Sequence, residues 1–331
     1  MEANDIRSFF KKYPHCGDET CYLRSFPATS DNYSDIKETL DEYGLCIVQL
    51  LSPEECKQSI EAMQQEVRST APKAKCPVDF SDSRTWDDKN WPSKSRHLLQ
   101  DVAMHAQAFQ NRTREDLYEL FSYLFDGERK LWTSIDRWGV LRGTKDIVMP
   151  DGSIKRDIAK WRHNLELHVD VNPWTYYPEL DEGKAKMYQG VLALVDCDLK
   201  QGSFLAVPGS HKYMKVFSDK VTPPKDWRPG TSLRIPKHDI THKFPQKIPL
   251  RAGEFVIFDG GLVHANYPNN ASELRLVQFI RLMPADDLGK DRDKFSAPRI
   301  LGSRMDRFPQ DIAWDDRQRK MLGLETWEES Q

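Results

Sequence analysis

The tripeptide His168-Val169-Asp170 puts an imidazole and a carboxylate two positions apart. In an extended strand, residues i and i+2 share a face, so the two groups would project side by side. They supply two members of the 2-His-1-carboxylate set that binds iron(II) and leaves positions open for oxygen chemistry. On its own H-x-D is a loose signal, and a third ligand must come from elsewhere. Phe255-Val256-Ile257-Phe258-Asp259-Gly260-Gly261-Leu262-Val263-His264 reads as a buried strand, a glycine turn and a histidine re-entering a sheet. The competing reading of His264 is a hydrogen-bonded core histidine. Arg275 stands at the start of the apolar run Leu274-Arg275-Leu276-Val277-Gln278-Phe279-Ile280. A guanidinium directed into a sandwich interior needs an anion. The distal carboxylate of a dicarboxylate would accept its bidentate fork; an ordinary ion pair or a solvated arginine is the plainer account. Arg281 is a rival, because its even spacing from Arg275 puts it on the same strand face.

Other side chains near these motifs compete for the same chemistry. His211 follows a Pro-Gly-Ser turn and is a rival third ligand, although a turn imidazole more often caps backbone groups. His163 is an odd number of positions from His168, which predicts the opposite strand face and a structural role. Trp161, Arg162, Trp174, Tyr176 and Tyr177 flank the metal motif. Arg162, Trp174 and Tyr176 are the candidates to contact a partly apolar, partly anionic small molecule; as core and rim aromatics they would need no ligand. Lys160 reads as surface charge.

The elements that must position these groups are legible in outline. A helix is predicted over Asp35–Tyr43, stopped by Gly44, then a buried strand over Leu45–Leu50. Ser52-Pro53-Glu54-Glu55 carries a capping-box signature with proline at the first helical position, so a helix should run to about Ser69. Residues 71–112 are expected to wrap the surface, and Thr113 to cap a helix through Phe125. From Trp161 the apolar residues fall in short runs, Leu165–Val171, Tyr188–Val195, Ser203–Val207, Phe255–Phe258 and Leu274–Leu282, as in an antiparallel sandwich or barrel. Residues 211–250 read as an excursion over the sheet, and Trp314–Trp327 as a terminal helix.

Composition narrows the function. The 331 residues carry 48 basic and 51 acidic side chains, a near-balance that offers no field for a polyanion and argues against nucleic acid. No apolar stretch approaches the length of a membrane span. Cys16, Cys21, Cys46, Cys56, Cys76 and Cys197 form no C-x-x-C pair. They read as reduced thiols in a cytoplasmic setting, since no secretory signal is visible.

In ordered blocks the sequence resembles the phytanoyl-CoA dioxygenase-like family of iron(II) and 2-oxoglutarate oxygenases. Glu42–Val48 with Leu51–Glu55 resembles its first strand and helix, and His168-Val169-Asp170 its first metal motif. Gln201-Gly202-Ser203-Phe204-Leu205-Ala206-Val207-Pro208-Gly209-Ser210-His211-Lys212 is similar to its N-G-x-L-x-x-x-P-G-S-H-K block. Ala252 through His264, then Pro268-Asn269-Asn270 and Arg275, resembles its closing segment. Gln201 and Glu254 depart from the usual Asn and Asp.

The resemblance implies a mainly β, α+β fold: a double-stranded β-helix, or jelly roll, with a helical N-terminal layer. It implies one continuous domain over 1–331, with a largely helical part and insert over 1–160, the core over 161–283 and a tail over 284–331. It further implies Fe(II) on His168, Asp170 and His264, and 2-oxoglutarate gripped by Arg275, with O2 as the third reactant. The expected reaction is oxidation of an unactivated C–H bond of a small metabolite, such as an amino-acid-like or lipid-like acid. The alternatives are a protein side-chain hydroxylase and a non-catalytic binding protein.

Overall fold

The computed structural model describes all residues except 1–5, 16–20, 71–75, 93–97, 100–102, 164, 224–231, 288–295, 311 and 328–331. In chain order the first half contains β1 (Phe26–Pro27), α1 (Tyr33–Tyr43), β2 (Leu45–Gln49), α2 (Pro53–Thr70), β3 (Leu98–Leu99), α3 (Ala106–Arg112), α4 (Glu115–Leu124), β4 (Leu131–Thr133), β5 (Trp138–Leu141), β6 (Ile147–Val148) and β7 (Ile154–Lys155). The second half contains β8 (His168–Val169), α5 (Pro173–Asp181), β9 (Tyr188–Ala193), β10 (Phe204–Ala206), α6 (Ser210–Lys220), β11 (Leu233–Arg234), β12 (Gln246–Ile248), β13 (Glu254–Asp259), β14 (His264–Asn266) and β15 (Arg275–Pro284), then α7 (Ala297–Leu301) and α8 (Asp316–Met321).

Apart from β6 and β7, which pair with each other, the strands form the two facing sheets of a jelly-roll fold. The major sheet runs β1-β2-β13-β9-β15-β5-β3, with β4 also on β15; the minor sheet runs β11-β8-β14-β10-β12. Alternation along β2 shows how the sandwich is built. Leu45 and Ile47 face inward with Val191, Val256, Phe258, Val277 and the minor sheet's Phe204 and Ala206. Cys46 and Val48 face the other way, onto Ile36, Leu40, Met63 and Phe121 of the helical layer. Both faces of β2 are therefore buried, which is why its sequence is an uninterrupted apolar run.

Local signals account for the helices. Gly44 ends α1 at φ +76, a left-handed C-cap, and a Cβ there would lie 2.5 Å from Nδ1 of His211. The capping box at α2 forms: Ser52 Oγ accepts from Glu55 N at 3.3 Å, while Glu55 Oε2 accepts from Ser52 N at 2.8 Å. The minor sheet is closed on its outer side by α5 and α6, whose Tyr176, Tyr177, Met214 and Phe217 pack on Val169, Val263 and Ala265. Among the described residues no helix is long and apolar enough to cross a membrane. The described cysteines, Cys21, Cys46, Cys56, Cys76 and Cys197, are free, and Cys16 lies outside the described residues.

Several expectations change. The first 160 residues are not simply helical, because β4 and β5 pair with β15 and complete the major sheet. These runs are three and four residues long, too short for period to separate strand from loop. The described part of 71–112 is not all surface: Trp86 and Trp91 are buried. Trp91 and Trp161 flank the Arg142 guanidinium, at 4.6 and 4.0 Å from its carbon. The segment after the metal motif is a helix, α5, begun by an Asn172 cap and Pro173. Within 211–250 lie α6, β11 and β12, the last two being edge strands of the minor sheet. The terminal helix covers only Asp316–Met321.

Candidate metal centre

β8 and β14 are antiparallel neighbours, with His264 paired against His168. Val169 and Ala265 turn outward under α5 and α6, so alternation sends both histidines into the sandwich. Asp170 leaves the end of β8, and its N–H donates to the Gly260 carbonyl at 3.2 Å. The turn before His264 is tightly built. Asp259 Oδ1 accepts from Gly261 N at 2.8 Å, and a Cβ on Gly261 would lie 2.3 Å from the Tyr177 hydroxyl. The consequence is a cluster in which ligand atoms of His168, Asp170 and His264 all lie within 4.8 Å of one another.

The protonation pattern of the two rings can be read from their partners. Nδ1 of His168 faces the Glu166 carbonyl and Nδ1 of His264 the Leu262 carbonyl, each at 2.9 Å. A carbonyl oxygen only accepts, so in both rings Nδ1 carries the proton. In the neutral imidazole, Nε2 is then a bare lone pair. Those two lone pairs face Asp170, at 3.4 Å from Oδ1 and 3.4 Å from Oδ2 respectively. Acceptors aimed at a carboxylate need a cation among them, either added protons or a metal ion. Two imidazoles and a carboxylate are the donor set that suits a divalent transition metal, and the backbone carbonyls behind each Nδ1 orient the rings as metal-ligating histidines require. The residues fit the ion.

Electrostatics agree. Burial pushes the Asp170 carboxyl up, but with Nε2 of the rings protonated the charge of His264 and hydrogen bonds from both histidines outweigh it and hold the group far below the usual carboxylate range. For His168, burial lowers the pKa, and the Asp170 hydrogen bond and charge more than reverse it, so the ring is raised. Gln189 Nε2 donates to Asp170 Oδ2 at 2.6 Å and fixes the carboxylate plane.

The three groups line a cavity of about 200 Å³ between the sheets, walled by Phe204, Phe258, Phe279 and Arg281. Phe204 and Phe258 pack on the His264 ring at centroid distances of 5.4 and 4.7 Å. Arg275 is 1% exposed. Its Nη1 donates to Asn266 Oδ1 at 2.9 Å, and Asn266 lines the cavity. Its Nε and Nη2 are buried without a hydrogen-bond partner. Burial pulls its pKa down, and Cys197 and Tyr267 are the groups that act against that, yet burial pushes Cys197 up to about 11 and Tyr267 higher, so neither carries compensating charge at neutral pH.

The remaining candidates fall elsewhere, with one exception. Arg162 pairs with Asp157. Trp174 Nε1 donates to the Val221 carbonyl at 2.6 Å, and Tyr176 donates to Asp259 Oδ1 at 3.4 Å. None of the three lines the cavity. Helical rather than extended backbone carries Trp174 and Tyr176 to the outer side of the minor sheet, behind the histidines. His211 is buried against Gly44, with Nε2 3.2 Å from the Asp41 carbonyl, away from the cluster. His163 is the exception: it does line the cavity. Strand geometry begins only at His168, so alternation does not extend back to it. Gln189 and Asn266 were not foreseen. Gln189 was visible as the one polar residue in the apolar run Tyr188–Ala193, and Asn266 as the residue at i+2 from His264.

Residues 40–277 match the phytanoyl-CoA dioxygenase (PhyH) family. The chain belongs to that family. As a phytanoyl-CoA dioxygenase family member it is an iron(II)- and 2-oxoglutarate-dependent oxygenase. A Dictyostelium discoideum relative that bears the family's name is 24% identical over 290 residues, 77% of this chain and 76% of its own. Among solved structures, GlcNAc Inducible Gene 2 of Candida albicans is similar with a TM-score of 0.61 at 14% identity, over 98% of this chain and 82% of that one. The Escherichia coli hypothetical protein JW0805 reaches 0.57 at 13%, over 91% and 81%. The epimerase SnoN, solved with Fe3+, alpha ketoglutarate and nogalamycin RO, reaches 0.52 at 15%, over 78% and 85%. At these identities the likeness is one of fold.

Proposed function

We propose that His168 and His264, through Nε2, and Asp170, through its carboxylate, hold iron(II), that Arg275 anchors 2-oxoglutarate, and that the enzyme oxidises a C–H bond of a small metabolite. The observation that carries this reading is the pair of imidazole lone pairs trained on one buried carboxylate. SnoN, a protein of similar fold solved with iron and alpha ketoglutarate, supports it. When bound, iron(II), 2-oxoglutarate and O2 supply the oxidant, with 2-oxoglutarate leaving as succinate and CO2.

The chain's own residues do the positioning. Asn266 holds one edge of the Arg275 guanidinium and leaves Nε and Nη2 for the distal carboxylate of 2-oxoglutarate, a bidentate charge-assisted contact. Gln189 keeps Asp170 from rotating, and the carbonyls of Glu166 and Leu262 hold a proton on each Nδ1, so that Nε2 is the nitrogen turned to the metal. Phe204, Phe258 and Phe279 keep water from the substrate's reacting carbon. Hydroxylation is the default outcome; desaturation or oxidative cyclisation uses the same residues. A cytoplasmic setting, with free thiols and a near-balanced charge that suits no nucleic acid, belongs to the same reading.

The test is spectroscopic. Anaerobic protein loaded with iron(II) should develop a weak visible charge-transfer band when 2-oxoglutarate is added. The band should be absent in His168→Ala and require about 10- to 100-fold more 2-oxoglutarate in Arg275→Ala, the worth of a charged hydrogen-bond pair. Folded, iron-loaded protein without the band would sink the assignment.

A further inference from the structure

β15 carries a second inward arginine, Arg281, which lines the cavity itself, whereas Arg275 lies behind Asn266. Arg275 and Arg281 share the inward face of this strand, with Val277 and Phe279 between them. At strand rise their Cα atoms are roughly 20 Å apart, and side chains stand nearly perpendicular to a sheet, so the two guanidinium groups stay separate. They flank the metal cluster. Arg275 holds Asn266, two residues beyond His264. Arg281 sits across from Gln189, which holds Asp170.

Arg281 is a cation without a bound anion. Its Nε is buried with no hydrogen-bond partner, and Nη1 meets only the Met187 sulfur, at 3.4 Å. The acids near enough to act on it are Asp136 and Asp170. Both are engaged: Asp136 pairs with Arg137 at 3.1 Å, and Asp170 holds the two imidazoles and Gln189. Arg281 is half-buried, and shutting its Nε away from water with only a thioether as hydrogen-bond partner to the guanidinium is costly unless something charged arrives. A structural arginine would have been given a carboxylate or backbone carbonyls. Arg112 shows the contrast, since its buried guanidinium donates to the carbonyls of Ala108, Ser134 and Asp136.

We infer that Arg281 is the substrate-recognition residue, and that it receives a carboxylate of the substrate in the cavity, on the side of the metal cluster away from Arg275. The substrate is therefore a small organic acid whose oxidised carbon lies between its carboxylate and the metal. This deepens the proposed function and rests on it for the role of Arg275. With 2-oxoglutarate held on the Arg275 side of the metal cluster, only a molecule small enough to share a cavity of about 200 Å³, or to enter it from the mouth, can reach Arg281.

The experiment is calorimetric titration of anaerobic protein holding iron(II) and saturating 2-oxoglutarate. Butanoate and butanamide, matched in shape and differing in charge, are the probes. Wild type should bind butanoate about 10- to 100-fold more tightly than the amide, as expected for one charge-assisted contact. Arg281→Met, which keeps the aliphatic stem, should abolish that preference while 2-oxoglutarate affinity stays within about threefold, well under one such contact. Arg281→Lys, which retains the charge, should keep part of it and guards against a folding artefact in the Met variant. Three results would overturn the inference: no preference in wild type, an unchanged preference in Arg281→Met, or a loss of 2-oxoglutarate affinity in that variant. Failure of wild type to bind 2-oxoglutarate instead strikes the cosubstrate reading. The Arg281-dependent preference is then read in protein holding iron(II) alone.

Discussion

In the major sheet, β2, β9, β13 and β15 run five to ten residues and are packed between the helical layer and the sandwich interior. In the minor sheet, β8, β10 and β14 run two or three residues, and β8 with the residue after it and β14 turn His168, Asp170 and His264 inward, while β10 adds Phe204 and Ala206. Hydrophobic burial scales with apolar area removed from water, so the major sheet is where stability resides. The minor sheet aims imidazoles and a carboxylate inward at some cost in stability. That cost is tolerable because the opposite wall does not depend on it.

Substitutions in either sheet test this division of labour. The largest effect is expected in the major sheet at Gly190. A Cβ there would lie 2.3 Å from Phe255 Cζ and 2.5 Å from the Val256 carbonyl oxygen, and backbone cannot step aside. Gly190→Ala should cost about 1–3 kcal/mol or more by overpacking, read as a lowered denaturant midpoint. His168→Ala in metal-free protein should move that midpoint far less; equal losses would end the division between the sheets.

Gln189→Leu should lower iron affinity roughly 10- to 100-fold, the usual effect of removing a group that orients a metal ligand, with an unchanged midpoint. Competition against a chelator measures it. Unaltered affinity would mean that Asp170 is held by its backbone alone.

The pH dependence should have opposite signs in the two states of the site. The folded pKa of His168 is raised, so in metal-free protein its stabilisation is complete below the unfolded value of about 6.5 and is lost as pH rises through the folded one. Asp170, depressed, stabilises above its unfolded value of about 3.9, and its contribution disappears only as pH falls towards the much lower folded one. Iron requires the Nε2 lone pairs, so its affinity should climb over the interval in which His168 stabilisation fades. Denaturation with and without iron across that range tests the crossing, which His168→Ala should flatten.

The smallest effect belongs to the helical layer. Ser52→Ala removes the cap of α2 and should cost about 1 kcal/mol with no change in iron binding. Loss of iron affinity there would show that the helices reach the site through the major sheet.

Local order was legible wherever one residue type has one physical use. Ser52 and Glu55 can cap, Gly44 can stop a helix, and Leu45–Val48 can only be a strand buried on both faces; each stands where the sequence puts it. The spacing of His168 and Asp170 likewise set them side by side, because alternation is a local property of backbone. Reading the same alternation back to His163 failed because strand geometry begins only at His168, and nearness in sequence to the metal motif did not bring Trp174 and Tyr176 to the cavity because the backbone turns helical after β8.

Tertiary structure decided everything that depends on register between distant strands. The sequence supplied two histidines far apart in the chain, and only the pairing of β8 with β14 sets His264 against His168. It supplied two arginines on one strand face, and only the neighbours across β9 and β14 give Arg275 to Asn266 and leave Arg281 open to the cavity beside Gln189. Composition and periodicity act over a few residues along the chain; the choice of what a buried charge faces is made across the sandwich, where non-local packing fixes register and so fixes the chemistry.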